Sequence, residues 1–485
     1  MNWVKFGKYF LVICLSITLL PLSGWGGEKF PHPTTYLPKA NETKKILGMV
    51  DDPRDLMATS SPKASMPPEI WEYLLIDVEK AKKLNAELVG FKSTDVVGKI
   101  APEIKPGKYT YKDLEKYPGF KDLFPPELQI HVRAAGPPLI CSVEEFEIIP
   151  TTQIYWFPRY SETTKRNLGK TKLDKDGYIV PLSWEGGCPF PRPSGKLKAQ
   201  QLYYSFEKRP GTYDFCYSIS GESLALDRNL VVDKYAQYDS TYIRLMGRTL
   251  FPPFGWFDKR AERNGETWSN GVVVYEPRAN RGTVTLRYFY DDIDKMDSFM
   301  IYVPSLRRIR KMTATDTQDP RGDMAYDDVN HLQQKITPDR FPYKFDIIAE
   351  REYLLPIAVN TAKVWVDSKN GYKLREVQMM RRFCYVLQMT QMDPNYLYSK
   401  RIFYVDKENF QCQCSSNYDQ KGRLYRSQLY TQVWMPEIGQ LNPFGTQTIQ
   451  FDYVDEHSSF QVQFSLPAPF ERKDFSMQEM IRKGK

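Results

Sequence analysis

Few side chains in this sequence are of the kind that do covalent chemistry, and none stands in a familiar catalytic spacing. There are four histidines, His32, His131, His331 and His457. A serine or cysteine nucleophile needs a neighbouring base such as His. No HExxH, GxSxG, GxxxxGKS/T or GxGxxG motif is present. His331, in DDVNHLQQK, is the best placed candidate base, beside Asp327 and Asp328. With an unidentified nucleophile it would make an envelope hydrolase, but a lone His near acids more often donates a structural hydrogen bond. Asp291, Asp292, Asp294 and Asp297 are spaced acids of the kind that bind Ca²⁺, yet the glycine and terminal Glu of an EF-hand are missing, so they read as a solvated turn. The RGD at Arg321 to Asp323 reads as loop. Cys412 and Cys414, with so few histidines near, are a weak zinc signal. The expectation is a non-enzymatic protein with no metal and no cofactor.

The densest charge lies in MDSFMIYVPSLRRIRKM, Met296 to Met312, which begins as an apolar strand and ends with four cations between Arg307 and Lys311. Phe299, Ile301 and Val303 alternate with Met300 and Tyr302, and Pro304 ends the pairing or marks an edge. If extension resumes, Leu306, Arg308 and Arg310 share one face, opposite Arg307, Ile309 and Lys311. Clustered guanidiniums suit carboxylate or phosphate because each offers a planar fork of donors. Two readings stand side by side: pairing with the acidic stretch Tyr326 to Val329 (YDDV), or contact with a ligand or membrane.

The elements that must position these residues are mostly strands. Aromatics make up 14% of the chain, led by 32 Tyr, which favours β structure. Residues 27–70 are Pro-rich and irregular. PPEIWEYLLIDVEKAKKLNAELVG, Pro67 to Gly90, is the clearest helix, with Ile70, Leu74, Leu75, Val78 and Ala81 at helical spacing and Gly90 as its stop. Short helices broken at Pro118 and Pro125 follow. From about Gln129 the period changes toward two. Turns are expected at Asp176-Gly177, Asn370-Gly371, Lys407-Glu408-Asn409 and Lys421-Gly422. Consecutive hairpins make a meander, and a long meander curls into a barrel or half-barrel. The expected class is α+β and β-rich, divided into a leader over 1–26, an irregular and helical region over 27–128 that wraps the body, and an antiparallel half-barrel domain over 129–485.

The leader reads as a cleaved secretory signal. Lys5 and Lys8 precede the apolar run Phe10 to Leu20, Pro21 ends it, and Gly24 and Gly26 fit a cut near Gly27. Removing it takes two lysines from a formal charge of +8. The remaining charge is too modest and dispersed for nucleic acid, and is compatible with weak attraction to an anionic membrane. Six cysteines remain: Cys141, Cys188, Cys216, Cys384, Cys412 and Cys414. An even number in an exported chain permits disulfides or six buried thiols. Cys412 and Cys414, two apart on one strand, should not pair with each other.

IYVPSLRRIRKM, then AYDDVN, then PDRFPYKFDIIAEREYLLP, resemble the core of the DUF1329 family. YSKRIFYVDKENFQCQCSSNYDQKGRLYR and the tail DFSMQEMIRKGK are similar to later segments of it. The resemblance is strongest over 237–434. The family comprises exported proteins of Gram-negative bacteria similar to periplasmic lipoprotein carriers. It implies a curved antiparallel half-barrel closed by helices, with an apolar cavity. It further implies a binding or shuttle role for a lipid-like ligand in the periplasm, in association with the outer membrane. The partners implied are an RND-type transporter and an outer-membrane protein; a docking module between those two is the alternative. By matching motif, Arg307, Arg308, Arg310, Asp327 and Asp328 are the headgroup or partner contacts. In such a carrier Tyr288, Tyr290, Phe299, Ile301, Phe345 and Phe403 are the cavity-lining candidates.

Overall fold

The structure is a computed structural model that describes residues 30–31, 61–137, 142–211, 213–312, 342–442, 445–463 and 465–484. The leader, Cys141, the RGD, Asp327, Asp328 and His331 lie outside them.

The expected helix over 67–90 is two, Pro68–Leu74 and Val78–Val89. Asp77 divides them because its side chain accepts the Lys80 N–H at 3.0 Å and caps the second helix, while Leu75 is extended. Gly90 stops that helix in the left-handed conformation, as expected. Asp113–Lys116, Phe120–Leu123 and Pro126–His131 are the proline-broken short helices.

Two further helices, Pro158–Asn167 and Lys198–Glu207, fall where the period was read as two. Their patterns hide them. The first buries Ser161, Thr163, Thr164 and Asn167, so its inner face looks polar. The second buries every residue from Leu202 to Phe206, so it has no contrast of faces there.

The expected antiparallel meander is present and does not close. It has two runs. The first is Phe215–Leu226, Val232–Arg244, Glu266–Glu276, Val284–Tyr290, Ser298–Val303 and Arg308–Met312, each paired with the next. The second is Tyr343–Leu355, Val377–Gln391, Lys400–Asp406, Cys412–Tyr418, Leu424–Tyr430, Gly445–Asp452 and His457–Gln463. The last strand of the second run pairs with the first strand of the first, Ser459 opposite Ala225. Among the described residues the two outer strands of this ladder are Arg308–Met312 and Tyr343–Leu355. Glu145–Ile149 joins in parallel, sharing one edge of Val377–Gln391 with Lys400–Asp406, while Tyr343–Leu355 takes the other.

The turns at Lys407-Glu408-Asn409 and Lys421-Gly422 join strands as expected. At Asp176-Gly177 there is a turn, with Asp174 Oδ1 accepting from Asp176 and Tyr178 N–H, but only an isolated bridge instead of two strands. Asn370-Gly371 turns the hairpin of Trp365–Asp367 and Lys373–Arg375. Gly371 sits at φ 77°, and a Cβ there would meet nothing closer than 3.6 Å. Gly371→Ala is therefore expected to cost only the backbone term, about 1 kcal/mol, in urea denaturation.

Both sheet faces carry helices. Met477–Lys483 lies on one, where Met480 fills the space beside Gly271: a Cβ on that glycine would be 2.5 Å from the Met480 methyl. Lys198–Glu207 lies on the other, with Tyr203 on Phe345 at 5.1 Å and Phe206 on Phe403 at 5.8 Å. Among the described residues no helix is long and apolar enough to cross a membrane. Cys188, Cys216, Cys384, Cys412 and Cys414 are buried and free, so none of the disulfides that the count permits forms among these five. Each sits in packed interior, and burial raises every one of the five thiols above its ordinary pKa.

Candidate functional site

Side chains on directly opposed residues share a sheet face, so register alone assembles a site. One row runs from Phe403 through Ser415, Gln428, Gln450 and Ser459 to Ala225. The same face continues to Phe345 and Ile347 on one side, and to Ile301 and Phe299 on the other. Its two sides are apolar: Phe345, Ile347, Phe299 and Ile301 are all half-buried. Its middle is polar and deeply buried, with Gln428, Gln450 and Ser459 at 0% exposure. The carboxamides of Gln428 and Gln450 are directly opposed, and among the described residues neither has a hydrogen-bond partner; nor does Ser415 Oγ. Gln413 Nε2 donates to Gln432 Oε1 at 2.7 Å, leaving its own Oε1 unpartnered.

The cavity-lining candidates separate on these faces. Phe299, Ile301, Phe345 and Phe403 share the polar-centred face, with Phe403 fully packed beneath Phe206. Tyr288 lies on the opposite face, its ring 5.2 Å from the Arg260 guanidinium and 6.0 Å from that of Arg472. Tyr290 sits under Lys295 at 3.7 Å. Phe345 is on one outer strand, and Phe299 and Ile301 are one strand in from the other, so the six do not converge.

Among the described residues the cationic segment is the last strand of the sheet. Pro304–Leu306 forms a single turn, Arg307 takes the left-handed conformation at φ 50°, and Arg308–Met312 folds back on Phe299 to Val303. Leu306 and Arg307 therefore belong to the turn and not to alternating strand faces. Arg308, Arg310 and Met312 share one face, Ile309 and Lys311 the other, and all five are exposed. Among the described residues no side-chain hydrogen bond or ion pair engages Arg307, Arg308, Arg310 or Lys311. Cations on an outer strand discourage another chain from adding to it.

The aspartate cluster is not a solvated turn throughout. Asp292 and Asp294 are exposed, but Asp291 and Asp297 are buried, and Asp291 accepts the Leu182 N–H. Among the described residues no group of three or more His, Cys, Asp or Glu is placed to hold a metal.

Sequence reasoning missed two buried polar clusters. Arg382 is fully buried and donates to Asp406 and Glu408, both also at 0% exposure. Glu408 further accepts N–H bonds from Ser93 at 3.3 Å and Ile154 at 2.9 Å, fastening the N-terminal region to the sheet. On the side opposite the Ser415 row, Glu127 Oε2 accepts from Ser416 Oγ at 2.7 Å. His131 Nε2 lies 2.9 Å from the Tyr453 hydroxyl, which meets Ser427 Oγ at 2.7 Å. Burial pushes Glu127 up to about 7 and His131 down to about 3, so this histidine is neutral. His131 stacks on Phe451 at 3.6 Å and acts as a packed structural group. A separate cavity of about 130 Å³, walled by Ile104, Ile148, Ile149 and Arg381, is below the volume usual for a ligand site.

Three solved structures are similar to this chain at low identity. A putative outer membrane lipoprotein-sorting protein domain from Vibrio parahaemolyticus is 12% identical, with TM-score 0.40, covering 58% of this chain and 97% of its own. A DUF1329 family protein from Desulfovibrio piger is 14% identical, with TM-score 0.40, covering 57% and 96%. A LolA superfamily protein from Nitrosomonas europaea is 14% identical, with TM-score 0.36, covering 58% and 98%. No curated protein matches. The family model described as "Protein of unknown function (DUF1329)" matches residues 138–480, most of the chain, and the protein therefore belongs to the DUF1329 family.

Proposed function

We propose that the protein is a non-enzymatic periplasmic binding or shuttle protein that carries a lipid-like ligand on the polar-centred sheet face, working with an envelope transport system. The reading rests on the make-up of that face. Half-buried Phe299, Ile301 and Phe345 supply apolar surface, worth about 0.8 kcal/mol per CH₂ covered. Between them stand the unpartnered carboxamides of Gln428 and Gln450. A buried amide left unpaired costs about 1–3 kcal/mol, and these two are closed off at 0% exposure, so the packing over the face has to open for a ligand that brings its own donors and acceptors to relieve that cost. An alkyl chain with a polar headgroup has both characters.

Native mass spectrometry on protein from its own periplasm, followed by lipid extraction, tests this. A stoichiometric amphiphile is expected. Gln450→Leu should weaken its retention about tenfold while leaving the melting temperature unchanged or higher, because the variant removes an unpaired buried amide. A clean apo mass, with no binding of a fluorescent fatty acid, rejects the carrier. The exposed Arg307, Arg308 and Arg310 favour the second reading, a docking module between an RND-type transporter and an outer-membrane protein. Charge reversal at Arg307 and Arg308 would then abolish a pull-down without altering stability.

A further inference from the structure

The geometry points to the hairpin of Ser298–Val303 and Arg308–Met312 as a docking element for an anionic lipid surface. Guarding an outer strand against strand addition needs only charge. It does not account for Leu306, Ile309 and Met312, which are 46%, 52% and 39% exposed on the same hairpin. Large apolar side chains gathered at an exposed edge mark a contact surface. Three arginines elsewhere in the sheet are buried with acids, Arg382 with Asp406, Arg426 with Asp452 and Arg381 with Glu352. Here four cations stand together, and among the described residues none has an acidic partner.

The placement of the side chains selects the partner. Arg308 and Arg310 project from one face of the strand and Lys311 from the other, with Ile309 beside Lys311 and Leu306 in the turn. A protein strand added to this edge would bond to its backbone and leave cations on both sides unmatched. A lipid surface met by the end of the hairpin engages both faces together. Its phosphates accept the guanidinium forks, and the boundary below the headgroups takes Leu306 and Ile309 near the turn. This rests on the hairpin alone, so it stands or falls separately from the ligand-carrying face.

The test is co-sedimentation of the full-length protein with phosphatidylcholine vesicles, with and without phosphatidylglycerol. The protein is expected to partition onto the anionic vesicles and not the neutral ones. Because each cation near an anionic surface contributes measurably, R308E/R310E should reduce that partitioning roughly tenfold or more. L306S/I309S should keep binding at low salt and lose the fraction that survives high salt, since added salt screens charge and leaves apolar insertion intact. All four residues are exposed, so both variants should melt with the wild type. Equal partitioning of wild type and R308E/R310E, or no preference for phosphatidylglycerol, overturns the proposal and leaves the edge to a protein partner.

Discussion

Arg382→Met is expected to lower the stability of the protein by about 3–5 kcal/mol, the loss seen when one partner of a buried ion cluster is removed and its counter-charges stay behind. Arg382, Asp406 and Glu408 are all at 0% exposure, so no water can replace the guanidinium. Burial opposes the charge on Arg382, but the two carboxylates outweigh it and hold the group above its ordinary pKa. Its Nη1 also donates to the Thr152 carbonyl at 2.8 Å. The variant thus strands two carboxylates and a carbonyl. Damage should reach the N-terminal region, because Glu408 accepts from Ser93 and Ile154 and its own carbonyl accepts from Asn85 at 3.2 Å. Urea denaturation measures the loss. The triple variant Arg382→Met, Asp406→Asn, Glu408→Gln should recover much of it, since it removes the stranded charges and keeps acceptor oxygens for the Ser93, Ile154, Glu408 and Asn409 N–H groups. A single variant that loses under 1 kcal/mol would mean that the cluster is hydrated and not dry.

The same cluster shows what sequence reading can reach. Lys407-Glu408-Asn409 is legible as a turn between two strands, because turn chemistry is local. That Glu408 is the anchor for residues more than 250 positions earlier is not local, and no periodicity carries it. Helix ends at Gly90 and the proline-broken helices were legible for the same reason the turns were. The single helix over 67–90 failed at Asp77, whose competing role as a cap outweighs the continuous apolar spacing. The polar-centred face escapes sequence reading for a different reason. Gln413, Gln450 and Gln461 each stand between apolar neighbours, and that alternation is what a half-solvated strand shows, while Ser415, Gln428 and Ser459 each adjoin a serine, which looks still more solvated. A polar row that is buried looks the same in sequence as one that faces water. Only the register, and the joining of His457–Gln463 to Phe215–Leu226, places these residues together and inside. The cationic segment was legible as a break after a strand. Its role as the sheet's outer strand depends on which strands pair beside it.

Glu127 should make stability fall with pH across the physiological range, and Glu127→Gln should remove its share of the pH dependence. Burial is the dominant cause raising its pKa from 4.5 to about 7, against the hydrogen bond from Ser416, which lowers it. The folded pKa lies above the unfolded one. Between pH 4.5 and 7 the folded chain therefore holds a proton that the unfolded chain has released, and stability falls as pH rises through that window. The full effect is on the order of 3 kcal/mol, reached above pH 7 and absent below 4.5. Burial pushes the Tyr404, Tyr418 and Tyr453 phenols and the Cys414 thiol upward, so all stay neutral. His131, held neutral at about 3, acts in the opposite sense: the unfolded chain takes up its proton below 6.5, so His131 adds stability as pH rises to that point, and the Glu127 effect is read as the difference between two proteins. Urea unfolding at pH 5 and pH 8 should show Glu127→Gln gaining about 2–3 kcal/mol on the wild type between the two. Parallel pH slopes for the two proteins would assign the dependence elsewhere. The consequence reaches function because Glu127 holds the Pro126–His131 helix against Ser416 on the Cys412–Tyr418 strand, whose other face presents Ser415 to the carboxamide row. Ionising Glu127 loosens that backing, so ligand retention on the carrying face is expected to weaken toward alkaline pH in the wild type and to stay constant in Glu127→Gln.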